Sequence, residues 1–183
     1  ISKGESRIMF NVGDYMICGA NGVCKVEEVG PLEVSGIEKE TMYYTLRPVY
    51  ASESTVFTPV DNEKIIMRPI LTKEEAQALV DEIPDIEIFV VDDDKKKEIL
   101  YKEALRSCDC KQLVRIIKTT YLNQKARLAA GKKAIMGDKK YFQMAEEHLY
   151  NELAIALGMD KSEVKAFIVN RVKQLAKEAV STI

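Results

Sequence analysis

The hydrophobic period changes near residue 70, and that change constrains the fold more than any other feature of the chain. Before it, short runs of β-branched and aromatic residues are separated by turn dipeptides. After it, apolar residues recur at three- and four-residue spacing behind capping motifs. This pattern predicts an α+β protein: an N-terminal β segment over 9–70 and a C-terminal all-α segment over 71–183. Residues 1–8 precede a plausible start at Met9 and are read as a non-native or disordered extension.

In the β segment, strand-like runs fall at 10–18, 23–29 with its continuation at 32–34, 42–50, 55–60 and 65–68. Gly13-Asp14, Asn21-Gly22 and Ser35-Gly36 supply turns, and Gly30-Pro31 is expected to interrupt the second strand. Five short strands with turns at this spacing predict a small, strongly bent barrel.

In the α segment, Thr72 with Glu75 fits a capping box for a helix running to about residue 81, and Pro84 ends that region. An acidic connector over 85–94 leads into the next helix, with Asp92, Asp93 and Asp94 at its positive end. Asp109 and Asp138 are expected to be N-caps, and Ala130-Gly131 and Gly158 to be helix ends. Phe142, Ala145, Leu149, Leu153 and Ala156 share one face. Asp160 with Glu163 opens a last helix, expected to bury Val164, Phe167, Ile168, Val172, Leu175 and Ala179.

Charge divides the α segment again. Residues 95–140 carry fourteen Lys/Arg against four acids, a net of +10, while residues 71–94 carry one Lys against nine acids, a net of −8. The whole chain is only −2. On a helix of 3.6 residues per turn, Lys111, Arg115, Lys118 and Lys125 fall within about 80° of one another. Leu113, Ile116, Ile117, Tyr121 and Leu128 lie opposite. Lys95, Lys102 and Arg106 likewise share a face of the preceding helix. Two cationic ridges suit a polyanion, because neutralised phosphates release condensed counterions. The first 70 residues hold seven Lys/Arg and ten Asp/Glu, a poor nucleic-acid surface and a better protein-binding one.

The remaining chemistry is sparse. No apolar run reaches the ~18 residues needed to span a membrane, and no signal peptide is expected. Cys18, Cys24, Cys108 and Cys110 lack the paired spacing of a structural zinc site and read as reduced thiols of a cytoplasmic protein. His148 is the lone histidine and reads as a core-edge residue. Catalytic and phosphate-loop motifs are missing, so no enzyme activity, cofactor, metal or small-molecule substrate is expected.

Several segments taken in order carry a resemblance. Met9-Phe-Asn-Val-Gly-Asp14, Gly22-Val-Cys-Lys-Val-Glu27, Tyr43-Tyr-Thr-Leu46 and Val56-Phe-Thr-Pro59 resemble the N-terminal module of the CarD family of bacterial transcription regulators, which also occurs in the transcription-repair coupling factor. Leu105-Arg-Ser-Cys-Asp109, Ile116-Ile117 with Tyr121-Leu122, Asp138-Lys-Lys-Tyr-Phe142 and Ala145-Glu-Glu-His-Leu-Tyr-Asn-Glu-Leu153 are similar to its helical domain.

The resemblance implies a Tudor-like (SH3-like) barrel that docks on the first lobe of the RNA polymerase β subunit by sheet extension, here through Thr55, Val56, Phe57, Thr58 and Pro59. It also implies a helical domain that contacts promoter DNA, mostly its phosphates, at the upstream edge of the melted region and alters open-complex stability. Those contacts map onto Lys95, Lys96, Lys97, Lys102 and Arg106, with Lys111, Arg115, Lys118 and Lys125 on the second ridge. Localisation would be cytoplasmic, on the nucleoid through polymerase. The chain departs from the family in two places. It has no Trp, so either Phe89, the nearest aromatic before the first basic helix, substitutes as the fork wedge, with Val90 or Asp94 as alternatives for that position, or the protein holds the fork weakly and works differently. Phe57 stands where some relatives carry Arg, which shifts docking toward backbone pairing and apolar contact. The rival reading is an adaptor whose basic helices meet an acidic protein surface without DNA contact.

Overall fold

A computed structural model describes residues 9–32, 41–51, 53–133 and 135–181. The chain divides between Ile70 and Leu71 into two compact units. The first is an antiparallel sheet and the second is helical, as the α+β reading expects.

The sheet comprises β1 (Tyr15–Cys18), β2 (Val23–Pro31), β3 (Met42–Pro48), β4 (Val56–Pro59) and β5 (Met67–Pro69), in the order β4-β3-β2-β1-β5. Alternation builds its core: Met16, Cys18, Cys24, Val26, Tyr44 and Leu46 all turn inward, and Phe10 packs edge-on against Tyr44. Gly19 sits in the tight turn after β1 with φ +49°, where a Cβ would lie 2.7 Å from Ile65 Cγ2. Only glycine meets both demands.

Gly30-Pro31 does not interrupt β2 as expected, since Gly30 pairs with Tyr43 and Pro31 with Met42. Met42 directs its carbonyl toward Val60, on the β4 side. The Pro31 nitrogen therefore faces away from β3, and no β2–β3 ladder bond is lost. The expected strand over 32–34 falls largely outside the described residues, as does Ser35-Gly36.

The helices are α1 (Lys73–Glu82), α2 (Asp94–Arg106), α3 (Cys110–Ala129), α4 (Met136–Leu157) and α5 (Lys161–Ser181). Their starts obey local capping chemistry. Thr72 Oγ1 accepts the Glu75 N–H at 3.1 Å while Glu75 accepts the Thr72 N–H at 2.8 Å. Asp93 caps α2 and Asp109 caps α3, each accepting a backbone N–H at 2.8 Å. Gly158 ends α4 in the left-handed region at φ 65°. Ala76, Val80, Tyr101, Ile116, Leu149, Leu153 and Val164 form the centre of the helical core.

Four expectations need correction. Asp138 is not an N-cap: α4 starts earlier, behind Ile135, and the Asp138 carboxylate turns inward. Tyr141 is buried in place of Phe142, which is only half-buried. Tyr121 and Leu128, expected on the core face of α3, are 56% and 59% exposed, because the end of α3 outruns the core. In α5 only Val164 is fully buried; Val172 and Leu175 are half-buried and Ala179 is exposed.

The cysteines, two in each unit, form no disulfide and are all buried. Burial pushes Cys24 up to about 12, with the nearby Cys18 adding to the shift. Among the described residues, no helix is long and apolar enough to cross a membrane.

Candidate functional site

Two surfaces follow from these elements, one made of backbone and the other of charge. The first is the outer edge of β4. Val60 donates its N–H to Met42 O at 2.9 Å, which makes residues 42 and 60 a hydrogen-bonded pair. Bonded and non-bonded pairs alternate along an antiparallel ladder. Val56 and Thr58 therefore turn their peptide groups toward β3, opposite Leu46 and Tyr44. The N–H and C=O of Phe57 and the C=O of Pro59 point the other way, where the described residues provide no neighbouring strand. Pro59 lacks an N–H, so pairing along this edge ends there.

The side chains alternate in the same sense. Thr58 is 1% exposed and accepts from Asn62 Nδ2 at 3.1 Å, whereas Phe57 is 54% exposed. Thr55 is exposed and Val56 half-buried. On the same sheet, Arg47 makes a two-point pair with Glu27, the extra residue at the β2 bulge. The Arg47 hydrogen bond holds the Glu27 carboxyl below the usual carboxylate range.

The second surface is basic and smaller than the sequence suggests. Lys95 and Lys96 stand exposed on the first turn of α2. Lys97 is committed inside: its side chain is 12% exposed, with Nζ 3.0 Å from Asp94 and 3.3 Å from the buried Asp138. Burial disfavours its charge, but hydrogen bonds and attraction from these two carboxylates hold its pKa above the ordinary value. Lys102 pairs with Glu98 at 2.9 Å, and Tyr141 donates its hydroxyl to the same carboxylate. Arg106 is exposed at the end of α2.

On α3, Lys111 is half-exposed and pairs with Glu82. The Arg115 guanidinium carbon lies over Phe89, 4.0 Å from the ring centre, and its Nε donates to the Glu87 carbonyl at 3.1 Å. Lys118 points at three carbonyls, those of Ile83, Pro84 and Ile86. Lys125 is exposed. The second ridge is thus largely engaged in its first half, and Lys97, Arg115 and Lys118 each close on partners within the helical unit.

Phe89 is engaged as well. It is half-buried, meets Tyr101 edge-on at 5.9 Å, and donates its N–H to Thr119 Oγ1. The ring is held between Arg115 and Tyr101. The apolar side chain presented here is Val90, 86% exposed. Sequence reasoning also passed over Lys132, Lys133, Lys139 and Lys140, all exposed around the α3–α4 turn. Exposed Tyr121, Leu122, Leu128 and Met136 accompany them in the sequence. The paired lysines on either side of Gly137 were visible, but Lys132 and Lys133 lie between helices, where a helical wheel has no place for them.

Among the described residues, no group of three or more His, Cys, Asp or Glu could hold a metal ion. Compared with known families, residues 10–71 match the CarD-like/TRCF RID domain. No curated protein matches the chain.

Proposed function

Residues 10–71 belong to the CarD-like/TRCF RID domain family, and from that premise we propose that this protein is a bacterial transcription regulator with two contacts. The sheet binds the first lobe of the RNA polymerase β subunit through β4. The helical unit lays its exposed cations along promoter DNA at the upstream edge of the bubble and alters open-complex lifetime.

The observation that carries this reading is the open β4 edge inside the matched domain. Phe57 offers a peptide donor, a peptide acceptor and an exposed ring on one stretch of backbone. An added strand takes its affinity from such main-chain groups and its specificity from alternate side chains. The DNA contact rests on Lys95, Lys96, Lys102, Arg106 and Lys125, joined by the lysines of the α3–α4 turn. Lysines of this kind position a protein on phosphates and carry little base readout.

Replacing Lys102 and Arg106 together by Glu tests the division of labour. Lobe binding should persist while the effect on open-complex lifetime disappears. Loss of both would contradict it. The exposed apolar residues near the α3–α4 turn favour a second reading, an adaptor that docks an acidic protein surface there. A polymerase–promoter complex in which the helical unit crosslinks to protein and not to DNA would select that reading.

A further inference from the structure

The seam between α3 and the segment that follows α1 has a geometry unlike the other basic contacts. Lys118 Nζ lies 2.7 Å from Ile83 O, 3.0 Å from Pro84 O and 2.5 Å from Ile86 O. An ammonium group has three N–H donors, and here each has its own carbonyl. No donor is left over for a phosphate. Ile83 is also the C-cap of α1, where unsatisfied carbonyls and the negative end of the helix dipole favour a cation. Burial pulls the Lys118 pKa down, against the opposing attraction of the Asp85 carboxylate.

One turn earlier on α3, Arg115 covers the Phe89 ring and holds Glu87 O. One residue later, Thr119 Oγ1 accepts the Phe89 N–H at 2.9 Å while donating to Arg115 O at 2.6 Å. A single stripe of α3 therefore fastens the chain at residues 83, 84, 86, 87 and 89. Val90 and the first turn of α2, with Lys95 and Lys96, come directly after that fastened stretch.

We propose that Lys118 and Arg115 are positioning residues that touch no nucleic acid: they clamp residues 83–89 to α3 and so fix Val90 and the start of α2 for contact with forked DNA. The inference deepens the DNA-contact reading and rests on it for its functional half. The clamp itself stands on geometry alone.

The test uses the full chain as Lys118→Met, with Lys125→Met as the phosphate-contacting control. Two quantities are measured: amide hydrogen exchange in the free protein, and affinity for a short duplex with a melted fork across a salt series. Lys118→Met should speed exchange of the Phe89 amide about tenfold or more, at little cost in melting temperature, because an opened segment no longer protects it. It should weaken fork binding several-fold and leave the slope of log affinity against log salt unchanged. Lys125→Met should lower that slope by about 0.9 and leave exchange at 85–91 unchanged. Lys118→Arg, which keeps a cationic donor, should restore part of the protection.

A slope reduced by about one in Lys118→Met, with exchange unchanged, would make Lys118 a phosphate contact and overturn the proposal. Unchanged exchange with an unchanged slope would overturn it too. If the wild-type chain binds no DNA, the DNA reading falls by itself, and exchange alone decides whether the clamp exists. Should Lys118→Met fail to fold, Thr119→Val removes the acceptor of the Phe89 N–H and must speed its exchange for the clamp to stand.

Discussion

The β4 edge and the basic helices expose different kinds of group. At the edge, the exposed groups belong to the backbone, and side-chain identity matters mainly through which way it points. On the helices, the exposed groups are side-chain charges, and many are already engaged. Lys97, Arg115 and Lys118 look in a helical wheel just like Lys95 or Lys125, yet their donors close on Asp138, Glu87 and the carbonyls after α1. A count of charges therefore overstates the polyanion surface, and composition says nothing about an edge made of peptide groups.

Adjacent substitutions sharpen this contrast, and the largest effect is expected at Thr58. Its N–H faces β3, so Thr58→Pro removes a ladder bond and a buried side chain together. Thermal or denaturant unfolding should show a loss of about 3 kcal/mol or more in the sheet unit. A variant as stable as wild type would mean the register at β4 is wrong.

Lys97 comes next. Lys97→Met leaves Asp138 buried without its cation, and stability of the helical unit should fall by about 2–4 kcal/mol in urea unfolding. The salt dependence of DNA binding should not change. A change in salt slope without loss of stability would return Lys97 to the outer surface.

A smaller effect, and a purely functional one, belongs to Lys95 and Lys96. Replacing both by Ala should lower the salt slope of DNA binding by about 1.8, from roughly 0.9 per phosphate contact, with unfolding unaffected. The smallest is at the helix start: Thr72→Ala removes one half of the capping box and should cost about 1 kcal/mol, with both binding activities intact.

Much of the architecture was legible because it rests on local rules. Thr72 with Glu75, Asp93, Asp109 and Gly158 mark helix ends by hydrogen bonds made within a few residues, and each stands where the sequence implied. The strand segments were legible from alternation and turn chemistry. What failed depends on partners distant in sequence. Asp138 reads as a cap until Lys97, forty-one residues earlier, draws it inward. Phe89 reads as a free aromatic until Arg115 covers it. Gly30-Pro31 reads as a break until the direction of each β3 peptide group is known. The β4 segment was chosen by resemblance, but the peptide that faces outward follows only from the register with Met42 and Val60.

The most direct test of the division of labour is binding of the full chain to the isolated first lobe of the polymerase β subunit, by calorimetry, for wild type and Phe57→Pro. The Phe57 nitrogen faces away from β3, so this proline leaves the internal ladder intact and deletes the outward donor. Wild type should bind in the micromolar range, and Phe57→Pro should melt like wild type yet bind on the order of a hundredfold more weakly, equivalent to about 2.7 kcal/mol. A folded wild-type chain that does not bind, or a Phe57→Pro variant that binds as tightly as wild type, would contradict docking through the β4 edge.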